Sequence, residues 1–115
     1  MLTHILLALK SSFWQDIINK TKSLVTHFRQ SPKEYHDLQE IQQRIGRKSR
    51  KLIQKVPTRW NSLFFMLKRL LKEYVTVSVA AEKTQNGKKY LWDHAEKTAI
   101  TSLTEILQYF EFVSR

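Results

Sequence analysis

The order of apolar and polar residues along this chain predicts helices almost throughout. Residues 2–11 are mostly apolar and predict a short helix, or the end of a strand that runs into one. From Phe13 to about Phe28, apolar residues recur at three- and four-residue intervals, which indicates an amphipathic helix. The members of this apolar face are Phe13, Ile17, Leu24, Val25 and Phe28.

A second helix is predicted to begin at Ser31. Ser31 suits the N-cap, Pro32 suits the first helical position, and Glu34 stands where a capping-box carboxylate reaches back to the cap. Gly46 is a plausible stop for this helix. The apolar face between these signals consists of Tyr35, Leu38, Ile41 and Ile45.

A third and longer helix is predicted to follow Thr58, the candidate N-cap, and to run to about Lys83. The β-branched stretch 75–79 weakens helix propensity near its end. Residues 86–87, Asn-Gly, then predict a turn, and a last helix spans about 91–113. The apolar stripe of the third helix consists of Leu63, Phe64, Leu67, Leu70, Leu71 and Tyr74, and that of the last helix of Ala99, Leu103, Ile106, Leu107, Phe110 and Val113.

These elements together predict an all-α fold, an irregular bundle of about four to five helices. The composition agrees, because 115 residues support one domain at most and only two glycines and two prolines are available for turns. We therefore expect a single helical region over residues 1–115. Within it, residues 13–46 and 58–115 are helical and residues 47–57 form a connector.

The residue types that catalysis or metal binding requires are missing or scattered. Cysteine is absent, which excludes disulfides and thiolate zinc sites and permits an intracellular compartment. The four histidines have no metal-ligand spacing, so we expect neither a metal nor another cofactor. No Gly-rich phosphate loop is present, and the acids, dispersed among basic residues, are interpreted as surface ion-pair partners. We expect no enzymatic activity and no small-molecule substrate.

Positive charge is the strongest functional signal. Twenty Lys and Arg residues oppose ten Asp and Glu, and a net charge of +10 favours nucleic acid first and an anionic membrane surface second. The stretch 44–59 holds seven basic residues and no acidic one. Its alternative interpretation is a solvated basic loop, and it could also serve as a nuclear-localisation patch. The candidate DNA-binding residues of the connector are Arg47, Lys48, Arg50, Lys51 and Lys55.

Arg59 and Trp60 complete this candidate site at the start of the third helix. A helix N-terminus offers free N–H groups and a positive dipole end, which suit a phosphate. Beside it, a guanidinium could hold the phosphate and an indole could stack on a base. The alternative is that Trp60 only anchors the first helical turn in the core, and the sequence leaves both possibilities open.

These residues also carry a resemblance to a known family. Residues 51–62, Lys-Leu-Ile-Gln-Lys-Val-Pro-Thr-Arg-Trp-Asn-Ser, resemble the Thr-Arg-Trp-Asn-Ser region of hAT-superfamily transposases and of their domesticated relatives, the BED-type zinc-finger proteins. Further stretches that agree in order and spacing are Met66 to Leu70, His4 to Leu7, Val25 to Ser31, and Trp92 followed by Leu103 to Phe110.

The resemblance implies a fragment of the helical insertion of an RNase H-like transposase, with residues 1–12 ending a segment of the catalytic core. None of the family's three metal-binding acids can be placed here, so the implied role is non-catalytic. By the match at the motif, Arg59 would contact a phosphate of transposon-end DNA, and Trp60 would stack on an extruded base. A nuclear location is implied as well.

Three functions therefore compete. The first is a non-catalytic fragment of a hAT-type transposase or transposase-derived zinc-finger BED protein that contributes DNA-proximal helices. The second is a stand-alone basic helical module whose nucleic-acid affinity falls steeply with salt. The third is a protein-interaction piece of a larger nuclear protein, whose apolar faces pack on a partner or on a second copy. No membrane partner is expected, because the basic run and the best apolar stripes lie on different elements.

Overall fold

The computed structural model describes residues 7–46, Leu52 and residues 60–113, with side chains described at all of these except 60, 61, 85, 86, 112 and 113. Within these ranges every regular element is helical, which confirms the predicted all-α fold. The elements are α1 (Ser12–Gln30), α2 (Pro32–Arg44), α3 (Trp60–Ala81), the single-turn α4 (Gln85–Lys88) and α5 (His94–Val113).

The longest helix, α3, organises the bundle. It packs against α2, α4 and α5, while α1 packs against α2 and α4. The apolar stripe predicted for α3 supplies much of the core, because five of its six members are buried and Leu71 packs against them. The largest fully buried apolar side chains are Leu24, Phe28, Leu38, Leu52, Phe64, Met66, Leu67, Leu70, Ile100 and Leu107.

The predicted ends of α2 are confirmed, with a different role for one residue. Ser31 Oγ accepts the N–H of Glu34 at 3.3 Å, and Pro32 occupies the first helical turn. Gly46 follows the helix with φ of +78°, a conformation that glycine adopts without a Cβ penalty. The Glu34 carboxylate, however, points to α1, where its Oε2 lies 3.6 Å from His27 Nε2.

The Asn-Gly turn predicted at residues 86–87 is instead the helical turn α4. Its first turn is closed by Thr84 Oγ1, which accepts the N–H of Gly87 at 3.0 Å. A Cβ at position 87 would lie 2.7 Å from the Ala81 carbonyl oxygen, so glycine allows α4 to pack directly against the end of α3. That helix ends at Ala81, two residues before the predicted end at Lys83, because the chain tightens there into three-residue turns.

The last helix begins at His94 rather than near Leu91, because Asp93 caps it. Asp93 Oδ1 accepts the N–H of Glu96 at 2.7 Å, and Glu96 Oε1 accepts the N–H of Asp93 at 3.0 Å. These reciprocal bonds form a capping box. The Asp-x-x-Glu signature stands in the sequence, so this boundary was predictable.

Three residues assigned to apolar faces are exposed: Phe13, Ile45 and Ile106. At the start of α1 it is Trp14 that packs against the core, while Phe13 lies edge-on to its ring at 5.3 Å. Ile45 is the C-cap of α2, beyond its packed face. On α5 the neighbouring Leu107, predicted on the same face, is buried in the core, whereas Ile106 is not.

The interpretation of all acids as surface residues is wrong for two of them. Glu34 is 6% exposed on the side of α2 that meets α1, and Glu73 is 2% exposed on the central helix α3. A helix surrounded by others has a narrow solvent-facing strip, so polar residues on it become buried as well. An acid that does behave as predicted is Glu96, which pairs with Lys20 at 2.8 Å between α5 and α1.

Candidate nucleic-acid interface

The helical body is close to electrical balance, and the stretch 47–59 carries most of the excess positive charge. The described residues include thirteen of the chain's Lys and Arg residues and all ten of its Asp and Glu residues. The stretch 47–59 adds six basic residues and no acidic one. Electrostatic attraction for a polyanion is therefore concentrated in the sequence that joins α2 to α3.

The structure defines where this connector leaves and re-enters the bundle, and one point between. It leaves after α2, whose last residue is the exposed Arg44, and re-enters at the start of α3. Between them Leu52 is buried in the core, and its carbonyl oxygen accepts a 2.6 Å hydrogen bond from Arg29 Nη1 at the end of α1. The connector is thus attached to the body at Leu52.

The side chains predicted to bind DNA lie outside the described residues. Trp60 is the first residue of α3, so the motif stands at a helix N-terminus as predicted, but its side chain also lies outside the described set. The other predicted contacts outside the described residues are Arg47, Lys48, Arg50, Lys51, Lys55 and Arg59.

The first half of α3 presents a basic and aromatic surface that the sequence reasoning did not include. Lys68 and Lys72 are exposed and one helical turn apart, on the face that also carries Phe65. Phe65 is 41% exposed, with its ring tilted against that of Phe64 at 5.1 Å. Lys68 Nζ lies 5.6 Å from the centroid of Phe64. The signal was present in the alternation of cations and aromatic residues downstream of the motif.

A family model described as the ZBED1 RNase-like helical domain matches residues 5–106. The chain belongs to this family. The match includes the Thr-Arg-Trp-Asn-Ser motif, the connector, α1 to α4 and most of α5, and it confirms the resemblance to transposase-derived BED-type zinc-finger proteins. The family is a helical domain and not a catalytic one, and it suggests a nuclear protein. Comparisons with curated proteins and with solved structures gave no match.

Within this ZBED1-type domain, the downstream tryptophan of the resemblance is a structural anchor. Trp92 is 8% exposed and stacks on Tyr74 of α3, with ring centroids 4.6 Å apart and planes 7° from parallel. Its Nε1–H donates to Thr21 Oγ1 of α1 at 2.8 Å, and its backbone N–H donates to the Tyr74 hydroxyl oxygen at 2.8 Å. Trp92 therefore ties α1 and α3 to the segment that enters α5.

The Tyr74 hydroxyl is held in its neutral form by this surrounding. Burial raises its pKa above the usual value of 10.0, the hydrogen bond from the Trp92 N–H lowers it, and the nearby Glu96 carboxylate raises it. Lys97 Nζ lies 5.4 Å from the Tyr74 ring centroid on the same side of the bundle. This cluster stabilises the fold and has no feature of a reactive centre.

In the part of the chain that the structure describes, no group of His, Asp and Glu residues could hold a metal ion. None of the described helices combines the length and the apolar character that crossing a bilayer requires.

Proposed function

We propose that this ZBED1-type helical domain binds DNA without catalysing a reaction, as part of a larger nuclear protein. The contacts are the connector residues Arg47, Lys48, Arg50, Lys51 and Lys55, continued by Arg59 and Trp60 at the start of α3. One observation carries the proposal. A nearly balanced helical body is joined to the stretch 47–59, which has six cations and no anion, and displacement of counterions by such cations dominates affinity for nucleic acid.

Two geometric features support this assignment. Leu52 is buried and its carbonyl oxygen accepts a hydrogen bond from Arg29, so the connector is fixed to the helical body at this residue. At its far end the connector meets the N-terminus of α3, where a phosphate is favoured by free N–H groups. Downstream of this N-terminus, Phe65, Lys68 and Lys72 lie on one exposed face of α3.

In this arrangement Arg59 and Trp60 have different roles. Arg59 contacts a backbone phosphate, and Trp60 stacks on an unpaired or extruded base. Taking a base out of the duplex costs a few kcal/mol, and stacking on an aromatic side chain returns about 1–3 kcal/mol per base. We therefore expect the domain to prefer distorted or single-stranded DNA to a regular duplex.

The decisive experiment neutralises the connector and compares it with an equal charge change elsewhere. The connector variant is R47Q/K48Q/R50Q/K51Q/K55Q, and the control K10Q/K33Q/K83Q/K88Q/K97Q removes five exposed lysines of the body. Binding of duplex DNA is measured across a salt series. The slope of log K against log salt should fall by about 4 to 5 in the connector variant and by much less in the control.

The same measurement contains the results that would refute the proposal. A flat salt dependence of the unaltered chain, or equal losses in the two variants, contradicts a connector-specific site. A second arm tests Trp60→Ala on single-stranded DNA, with the free energy of unfolding measured in parallel. Unchanged affinity together with lower stability assigns Trp60 to the core instead of to stacking.

A protein-docking role is a second candidate, and one observation favours it. Large apolar side chains are exposed on both α3 and α5, among them Val75, Val79, Ile106 and Tyr109. Monomeric proteins rarely expose contiguous apolar patches of more than a few hundred Å². Sedimentation of the isolated chain distinguishes the docking role from DNA binding alone. Self-association favours docking, whereas a monomer at all concentrations argues against a second copy as the partner.

A further inference from the structure

A polar groove lies on the side of α1 that faces the segment after α4. Its volume is about 400 Å³, and it is open to solvent. The second wall of the groove is formed by Lys89 and Tyr90, with Lys89 Nζ 5.1 Å from the Tyr90 ring centroid. The first wall is one face of α1 with helical spacing, formed by Lys22, Ser23, Thr26, His27 and Gln30.

The fold brings the two walls together by contacts that are themselves well defined. The Trp92 indole N–H donates to Thr21, the residue before Lys22, and so places residues 89–92 against α1. Lys20 pairs with Glu96 at 2.8 Å and adds a second connection between the same regions. Buried packing therefore places Lys89 in the same groove as Lys22.

The lining of the groove has the chemistry of a phosphate site. It combines two ammonium groups with hydroxyl and amide donors, and none of its seven lining residues is acidic. The carboxylate that contacts this region, Glu34, reaches the His27 Nε2 from α2 and is itself buried, so it does not line the groove. Lysine, hydroxyl and amide groups are those with which proteins contact the nucleic-acid backbone.

We propose that this groove holds a phosphodiester group of a nucleic-acid strand, with Lys22 and Lys89 as its charged contacts. The choice of nucleic acid as the ligand rests on the proposed function, but the residues are different ones. Tyr90, in the same wall, offers a ring face beside the phosphate. The groove is open, as a polymer backbone that enters and leaves it requires.

The groove also lies within reach of the connector. Lys22 and Arg29 are seven residues apart on α1, so they lie on one face and about 10 Å apart along the helix axis. Arg29 is the residue that binds the Leu52 carbonyl of the connector. Since one base-pair step of a duplex spans about 3.4 Å, a strand bound at the connector reaches the groove within about three nucleotides.

The test maps binding residue by residue on the full chain by NMR, with a short oligothymidylate as the probe. We expect the amide resonances of residues 22–30 and 89–90 to shift, and the shifts to disappear in K22Q/K89Q. The control K10Q/K33Q removes two exposed lysines outside the groove and should keep them. In binding measurements, the slope of log K against log salt should fall by about 1.4 in K22Q/K89Q.

The outcomes separate this proposal from the proposed function. If connector amides shift while groove amides do not, the groove proposal is overturned and the proposed function stands. A second outcome is that groove amides shift in both the wild-type chain and the connector variant, with no shift of the connector amides. That result supports the groove proposal and contradicts the connector site. A parallel titration uses vesicles that contain phosphatidylserine. Shifts of the groove amides with vesicles but not with the oligonucleotide would overturn the assignment to nucleic acid. The wild-type map decides even if K22Q/K89Q does not fold.

Discussion

Two regions of this bundle bury polar side chains. Within the described part of the chain, the buried polar atoms are hydrogen-bonded in one region and lack hydrogen-bond partners in the other. Around Trp92, the indole N–H and the backbone N–H each have an acceptor, Thr21 and Tyr74, at 2.8 Å. Between α1 and α2, His27 Nε2 and Glu34 Oε2 are buried 3.6 Å apart, and neither atom has a hydrogen-bond partner among the described residues.

The difference shows which polar contacts specify the fold. A buried donor with a well-placed acceptor makes only one arrangement favourable, because every other arrangement leaves the donor unpaired. Burial removes water from both groups of a pair. A pair too far apart for a hydrogen bond does not recover the hydration free energy that is lost. We therefore expect the Trp92 cluster to determine how α1 meets the segment before α5, and the His27–Glu34 pair to contribute little to stability.

The largest expected effect is that of removing the acceptor of the indole. Thr21→Val leaves the Trp92 Nε1–H buried and unpaired, and should lower the free energy of unfolding by about 1–3 kcal/mol. Urea unfolding measures the change. Thr104→Val is the matched control, since this buried threonine donates only to the Ile100 carbonyl of its own helix. Equal losses in the two variants would show that the Trp92 bond has no special weight.

A smaller effect is expected from replacing the unsatisfied pair. Because apolar residues of similar size need no hydrogen bonds, His27→Leu with Glu34→Met should leave the free energy of unfolding unchanged or raise it by about 1 kcal/mol. The control is His36→Leu with Glu40→Met, an exposed pair on α2 at 3.2 Å. A loss of more than about 2 kcal/mol in the buried double variant would mean that the pair stabilises the α1–α2 contact after all.

The smallest expected effect at neutral pH is that of replacing Tyr74. Its effect on the free energy of unfolding increases only at alkaline pH. Because its pKa is raised in the folded state, the neutral phenol stabilises the fold fully below pH 10.0, and this contribution is lost as the pH rises through the raised pKa. Thermal unfolding between about pH 9 and about pH 11 should show a steeper decline for the wild type than for Tyr74→Phe. Tyr109→Phe, at an exposed position, should decline like the wild type. Parallel curves for wild type and Tyr74→Phe would contradict the assignment.

Predictions from local spacing were confirmed where the signal lay within one element. The start of α2 at Ser31, its stop at Gly46 and the buried stripe of α3 depend on residues within a few positions of one another. The signals that were missed at the start of α5 were local too. The DNA-binding site is different, because its connector residues were chosen by charge alone and stay a prediction.

Other features could not be derived from spacing, because helical periodicity defines a face but not what covers it. Phe13 and Ile106 continue apolar faces and yet are exposed, since no described neighbour reaches them to complete their burial. Glu73 is a charged residue that was expected at the surface, and yet it is buried on a helix that is packed on several sides. The need for glycine at position 87 arises only from the approach of the Ala81 carbonyl.

The sequence by itself determined the all-α class, the position of the basic connector and the relationship to the ZBED1-type helical domain. Each of these depends on residue types and spacings that are read along the chain. Only the tertiary structure decided that Thr21 accepts the Trp92 indole N–H and that Lys22 and Lys89 line one groove. Such pairs join residues that are distant in sequence, and their meeting is set by how whole helices pack to bury apolar surface.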